Sequence, residues 1–269
     1  MRTLKSFPLV LLSVLLLLST STHATATTEL TPSIRAAFDL TAAAAEGNVR
    51  TKLNNQYNDL SALKLQYDSR EEQIRTLHYN NEQALTTVRS QIKEIDREAV
   101  TRLETTLKSS KDRYQPLFDQ YSALNKRISI AKGLKDKTVY NVLRVQGDAM
   151  KILVQLARQE ISDKQKQLNS AKQIRTKKIA DARKTLSGIE SAQISIKSNK
   201  SSVTTLNKRI AADWSDFKAA IRKQNVPLTS QALTSLVSGY RQIATHKQKI
   251  IDLEQKISTV ISNTKKQIS

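Results

Sequence analysis

Apolar side chains recur along most of this chain at alternating steps of four and three residues, the spacing of a helical seam that packs on another helix. The first seam runs from Leu53 to Ala99, and four of its central positions are polar. From Ala99 the steps lengthen to Leu103 and Leu107, closer to the spacing of about 3.67 residues that unwinds a left-handed supercoil. The seam positions are Leu53, Tyr57, Leu60, Lys64, Tyr67, Glu71, Ile74, His78, Asn81, Leu85, Val88, Ile92, Ile95 and Ala99.

Two later seams keep the same alternation. The second includes Ala182, Leu186, Ile189, Gln193, Ile196, Lys200, Val203, Asn207, Ile210, Trp214, Phe217 and Ile221. The third includes Leu233, Leu236, Tyr240, Ile243, Lys247, Ile250, Glu254, Ile257, Ile261, Thr264 and Ile268. Beside the third seam lies a second column of Val237, Ala244 and Ile251. A stripe that wide predicts packing on two neighbouring helices.

Prolines divide the seams into three segments, because proline interrupts or starts a helix. The Thr31-Pro32 pair fits an N-cap followed by proline in the first turn, and Thr229 is the expected cap after Pro227. The predicted helices therefore span about 32–112, 117–223 and 229–268.

Short breaks between these segments predict antiparallel neighbours. The third helix is about half as long as the first, so it can cover only one end. We expect an all-α fold: an elongated antiparallel helical hairpin or coiled coil with a three-helix bundle base. Pro116 is expected at the hairpin tip, and Gly133 is expected to mark a kink or short loop.

The N-terminus has the layout of a secretory signal. Arg2 and Lys5 precede an apolar run over residues 9–18, and Ala24-Thr25-Ala26 follows as a cleavage site. The run is too short for a hydrocarbon layer of roughly 30 Å. We expect a signal peptide over residues 1–26, cleavage near Ala26, and a secreted or periplasmic cell-envelope protein whose residues 27–269 form one helical coiled-coil domain.

Composition argues against an enzyme. The chain has 269 residues but only 5 Gly, 4 Pro and no Cys, which disfavours sheet folds and excludes disulfides and thiolate sites. It contains no nucleophile, phosphate-loop or zinc motif, and His78 and His246 have no neighbouring ligands. We predict no catalytic residue, no metal site and no cofactor.

The formal charge of +20 is unevenly distributed. Residues 27–112 have a net charge of −1 and residues 113–269 a net charge of +19. On a helix, Lys177 and Lys184 would lie opposite the stripe of Leu168, Ile179 and Leu186. The alternative to a binding surface is an ordinary solvated helix face. The candidate anion-binding residues are Lys172, Arg175, Lys177, Lys178, Arg183 and Lys184.

Two other features have a structural interpretation. Trp214 and Phe217 lie on a seam, which favours a core aromatic pair over a binding platform. Residues 142–157 form the most apolar stretch after the signal, but Arg144, Asp148 and Lys151 interrupt it. Because charges are costly inside a bilayer, we expect burial of this stretch within the hairpin.

These patterns together favour an exported, non-catalytic coiled-coil interaction protein that attaches through basic helices. Its expected partner is an anionic polymer, lipid headgroups or an acidic protein. Nucleic acid would bind in vitro only, and a homo-oligomer is compatible with the seams. The alternatives are a cationic helical chaperone that holds unfolded exported proteins, or a membrane-active helical toxin.

Overall fold

A computed structural model of the protein describes residues 28–269, so the predicted signal peptide lies outside the described residues. Within that range the chain forms α-helices, one 3₁₀ turn at Ser187–Ile189 and no strand, which confirms the all-α fold class. The helices are α1 (Pro32–Ala43), α2 (Gly47–Glu94), α3 (Arg97–Gly133), α4 (Lys137–Leu186), α5 (Glu190–Arg222) and α6 (Val226–Ile268).

The predicted helix boundaries were partly wrong. The span 32–112 is interrupted after α1 and after α2, and the span 117–223 is divided at the 3₁₀ turn. The third helix starts at Val226, where the Asn225 Oδ1 atom accepts a hydrogen bond from Leu228 N at 3.0 Å. Asn225 thus has the capping contact expected of Thr229, which is buried within α6.

Pro116 does not lie at the hairpin tip. It sits inside α3 at an exposed position, where it removes one amide donor from the helix. The chain reverses at residues 134–136, next to Gly133. There Lys135 has a φ of 57°, and Asp136 Oδ1 accepts hydrogen bonds from Thr138 N and Val139 N, both at 3.1 Å.

The described chain divides into two compact units, and the boundaries fall within α2, α5 and α6. One unit contains the residues up to Lys64 with Ser202–Ile243, and the other contains Leu65–Ser201 with Ala244–Ser269. Residues 27–269 were predicted to form a single domain, so the division into two compact units differs from that prediction.

The core of the first unit is aromatic. Phe217 of α5 lies 5.2 Å from Trp214, 6.4 Å from Phe38 and 6.5 Å from Tyr57, measured between ring centroids. Phe38 and Phe217 have no exposed surface, and Trp214 is 6% exposed, which confirms the predicted core pair. Helix α1 contributes Phe38 to this core. Its predicted N-cap is present, since Thr31 Oγ1 accepts a hydrogen bond from Ile34 N at 3.3 Å.

The second unit contains both a three-helix part and a two-helix hairpin. Its larger apolar cluster combines residues such as Ile92 of α2, Ala182 of α4 and Ile251 of α6, together with residues of α5. A smaller cluster is formed by Val100 and Leu107 of α3 with Leu168 of α4. The transition from three packed segments to two agrees with the predicted base and hairpin.

The first seam shifts phase between α2 and α3. Asp96, at the break, has a φ of 49°, in the left-handed region. Val100 is buried whereas Ala99 is exposed, so the prediction that Ala99 lies on the seam was wrong. Val100 follows Ile92 by eight residues, one more than the seven of a regular heptad. The left-handed conformation of Asp96 accommodates this extra residue, so the apolar face of α3 still packs on α4.

The apolar stretch 142–157 is not buried as expected. Val154 and Ala157 face the interior, but Val145 is 70% exposed and Leu156 is 63% exposed. The stretch is apolar around most of the helix, and α3 covers only one side of it. In the described part of the chain, no helix is long and apolar enough to cross a membrane.

Candidate anion-binding surface

Helix α4 carries the excess of positive charge, with 12 basic and 4 acidic side chains. All six candidate residues lie in its last part, where it packs beside the break between α2 and α3. The structure separates them into two sets of three according to what their side chains contact.

Three of the candidates bind to the neighbouring helices of the same unit. Lys172 Nζ lies 2.6 Å from Glu104 Oε1, and Lys178 Nζ lies 2.8 Å from Asp96 Oδ2. The half-buried Arg175 donates from Nε to the carbonyl of Ile95 at 2.8 Å and from Nη2 to that of Lys93 at 3.1 Å. Arg175 therefore satisfies backbone carbonyls at the end of α2, which α2 itself leaves without amide partners.

The other three candidates, Lys177, Arg183 and Lys184, are exposed. None of them belongs to an ion pair identified among residues 28–269. Lys177 and Lys184 lie one heptad apart on the side turned away from the buried Leu168 and Leu186, as the helical spacing predicts. We call Lys177, Arg183 and Lys184 the outer cations, and Lys172, Arg175 and Lys178 the inner cations.

Two of the inner cations, Lys172 and Arg175, line a shallow cleft between α3 and α4. Arg97, Glu104, Lys172 and Arg175 contribute to its wall, together with Thr101 and Thr176. The Glu104 carboxylate already neutralises Lys172 at the edge of this cleft. Lys172 is half exposed and already has a carboxylate partner, whereas no ion pair identified among residues 28–269 involves the outer cations.

A second group of polar and charged side chains occupies seam positions, and the sequence pattern assigned them no role. Glu254 of α6 is 1% exposed, and its Oε1 lies 2.9 Å from His78 Nδ1. Asn81 Nδ2 donates to both the carbonyl oxygen and Oε2 of Glu254, each at 2.8 Å. These contacts form a closed polar layer between α2 and α6. The signal was present in the seams, where all three residues occupy core positions.

Lys247 forms a second layer one heptad earlier in α6. Its side chain is 1% exposed, yet Nζ lies 2.6 Å from Glu71 Oε2 and donates to the carbonyl of Tyr67 at 3.0 Å. The ammonium also lies 3.2 Å from the centroid of the Tyr67 ring. An acceptor, a carboxylate and an aromatic face together compensate the desolvation of the charge.

The polar layers lie in the packing between α2 and α6, where their side chains contact one another. Among residues 28–269, no group of three or more His, Asp or Glu side chains could hold a metal ion. His78 contacts Glu254, and His246 Nδ1 lies 2.8 Å from Asn199 Oδ1. Each imidazole has a polar partner within the packing of the second unit.

The His78–Glu254 pair predicts a pH optimum for stability. The hydrogen bond to Glu254 raises the pKa of His78 above its ordinary value of 6.5, although partial burial opposes the shift and the charges of Lys200 and Glu82 also act on the ring. Burial would raise the pKa of Glu254, but the hydrogen bonds from His78 and Asn81 outweigh it and lower that pKa below 4.5. The stabilisation from His78 is complete below pH 6.5 and is lost as the pH rises through its raised pKa. The stabilisation from Glu254 is present above pH 4.5 and is lost as the pH falls through its lowered pKa.

We therefore expect the unfolding midpoint in urea to decrease as the pH rises from about 6 to 9. His78→Gln should flatten this decrease, because it keeps a polar group beside Glu254 but does not titrate. His246→Gln is the matched control, since it leaves the Glu254 contacts intact. An equal decrease in the parent and in His78→Gln would show that His78 does not cause the pH dependence.

Comparison with protein-family models, with curated proteins and with solved structures gives no match for this chain.

Proposed function

We propose that this protein is an exported, non-catalytic helical interaction protein that attaches to a phosphate-rich anionic partner through the outer cations. The observation that carries the proposal is the exposure of Lys177, Arg183 and Lys184 on one helix that has a net charge of +8. Exposed cations at fixed spacing concentrate polyanions without a shaped pocket. A wall polymer and a lipid headgroup offer the same phosphate chemistry.

The distribution of carboxylates supports this assignment. Asp96, at the junction of α2 and α3, and Glu104 of α3 lie beside this part of α4. Both carboxylates pair with inner cations. They are therefore already engaged, and Asp181 of α4 is the acidic residue closest in sequence to the three outer cations. A surface of this kind binds by charge, so its affinity decreases as salt shortens the screening length.

Neutralising the outer cations tests the proposal. The triple variant Lys177→Gln, Arg183→Gln, Lys184→Gln is expected to bind phosphocellulose about 100-fold more weakly than the parent, at roughly 1 kcal/mol for each lost cation. Its unfolding midpoint should be unchanged, because surface substitutions away from packing stay within about 0.5 kcal/mol. Binding is measured as a retention isotherm at about 0.05 M salt, and vesicles containing phosphatidylglycerol replace the resin to distinguish lipid from polymer.

The inner cations provide a matched control with the same change in charge. Lys172→Gln, Arg175→Gln, Lys178→Gln should retain binding within about threefold, because Lys172 and Lys178 are already paired with carboxylates and Arg175 is bonded to backbone carbonyls. This variant should instead lose stability, since the carbonyls of Lys93 and Ile95 lose their donor. Equal binding by the two triple variants, or retention that persists at about 0.5 M salt, would contradict the proposal.

A further inference from the structure

The exposed side of α4 near the hairpin tip carries an apolar stripe that no other part of the described chain covers. Its large members are 55–70% exposed, and Ala149 is also exposed. A contiguous apolar surface of this kind is uncommon on a soluble monomer and marks an interaction site. We define the α4 stripe as Val142, Val145, Ala149, Ile152, Leu153 and Leu156.

The stripe is distinct from the face that packs inside the hairpin. On that inner face Gly147 lies against Ile128 of α3, and Val154 is fully buried. At 100° per residue, Val154 lies about 140° around the helix from the centre of the stripe. Helix α4 thus has two apolar faces here, and α3 occupies one of them.

The spacing of the stripe is that of a helix-packing seam. Successive steps from Val142 through Val145, Ala149 and Ile152 to Leu156 are three, four, three and four residues. This alternation keeps side chains aligned with a neighbouring helix over two heptads. The occupant that matches it is another helix.

Charge placement favours a protein helix over a lipid surface. A helix that lies in a membrane interface carries Lys and Arg along the borders of its apolar face, where they reach the headgroups. Here Arg144 and Lys151 lie about 140–160° from the centre of the stripe, and the stripe itself has no charged member. Charge therefore selects neither an acidic nor a basic partner at this face.

The arrangement of the stripe about Ala149 is nearly symmetric. Apolar residues stand four residues away on both sides, at Val145 and Leu153, and seven residues away on both sides, at Val142 and Leu156. A two-fold axis through Ala149 would place each of these residues opposite an apolar residue of an antiparallel copy. The small side chain on the axis lets the two helices approach closely. This self-complementarity is the requirement for an isologous interface.

We propose that a second copy of this chain covers the α4 stripe, with the two α4 helices packed antiparallel about Ala149. The dimer does not depend on the proposed anion binding, because it involves different residues and is held by apolar contact, not by charge. Two copies whose residues 27–269 have a net charge of +18 each repel at low salt, whereas their apolar contact persists. The dimer should therefore strengthen as salt is added, while anion binding weakens.

Sedimentation equilibrium of the protein at about 0.05 and 0.5 M salt tests the dimer. We expect a concentration-dependent dimer with a lower dissociation constant at the higher salt. Ala149→Glu places two carboxylates on the axis and should weaken the dimer more than about 100-fold. Because Ala149 is exposed, this change should leave the helical far-UV signal and the unfolding midpoint unaltered.

Gln155→Glu is the matched control. It adds the same charge to the same part of α4, but about 120° away from the centre of the stripe. Its dimer should resemble that of the parent. A monomer at both salt concentrations, or a dimer that Ala149→Glu does not weaken, would overturn the proposal.

Single cysteines determine the orientation, since the protein contains no cysteine. Under mild oxidation, Ala149→Cys should form a disulfide-linked dimer because the two sulfurs meet near the axis. Val142→Cys should not, because antiparallel packing separates the two positions by about 21 Å along the helix. Cross-linking at both positions would indicate parallel helices and overturn the antiparallel arrangement. Vesicle binding by a monomeric parent that Ala149→Glu abolishes would assign the stripe to lipid instead.

Discussion

Replacing Phe217 with alanine is expected to lower the free energy of unfolding by about 3–5 kcal/mol. The Phe217 side chain has no exposed surface and contacts the rings of Phe38, Tyr57 and Trp214. Removing it leaves a cavity among three large rings that cannot all move inward. Urea unfolding followed by the fluorescence of Trp214, the single tryptophan of the chain, measures the effect directly.

Tyr79→Ala is the control for this prediction. Tyr79 is also an aromatic residue in a long helix, but it is 64% exposed. Its loss should change the free energy of unfolding by no more than about 0.5 kcal/mol. A similar cost for the two substitutions would contradict the assignment of the aromatic cluster as the core of the first unit.

The second large effect is expected at Asn81, whose replacement with alanine should cost about 3 kcal/mol. Its amide nitrogen donates to both the backbone carbonyl and a side-chain oxygen of Glu254. Glu254 is 1% exposed, so water cannot replace this donor without opening the packing between α2 and α6. Thermal unfolding followed by far-UV circular dichroism reports the loss.

A compensating substitution distinguishes a lost hydrogen bond from lost volume. Combining Asn81→Leu with Glu254→Leu removes the buried charge together with its donor. Apolar replacement of a buried polar group is often neutral or stabilising, so we expect the double variant to match or exceed the parent. Asn80→Ala, at the exposed neighbouring position, should change stability little. A double variant as unstable as Asn81→Ala would show that packing, and not the unpaired carboxylate, causes the loss.

Much of the secondary structure was predictable because its causes are local. The Thr31-Pro32 start, the buried positions of α6 and the core placement of Trp214 and Phe217 all follow from capping and from helical periodicity. The reversal beside Gly133 also had a local signal. Pro116 was misleading because the cost of proline in a helix depends on whether the freed carbonyl can meet solvent, which composition does not reveal.

The candidate surface was only partly predictable. The periodicity placed Lys177 and Lys184 on the solvent side. It could not show that Lys172 meets Glu104 or that Lys178 meets Asp96, because those partners lie about 70–80 residues earlier in the chain. The pairing depends on the register between α3 and α4, which the left-handed Asp96 helps to set.

The sequence by itself determined the all-α class, the seams and the excess of positive charge, since helix propensity, heptad spacing and ionisation are properties of short stretches. Only the tertiary structure decided which apolar and charged residues have partners. Residues 142–157 have a buried face and an exposed face because α3 can cover only one side of α4. His78, Asn81 and Glu254 form one layer because two distant seams align there. Such contacts depend on the register between helices, which is a relation between segments and not a property of either one.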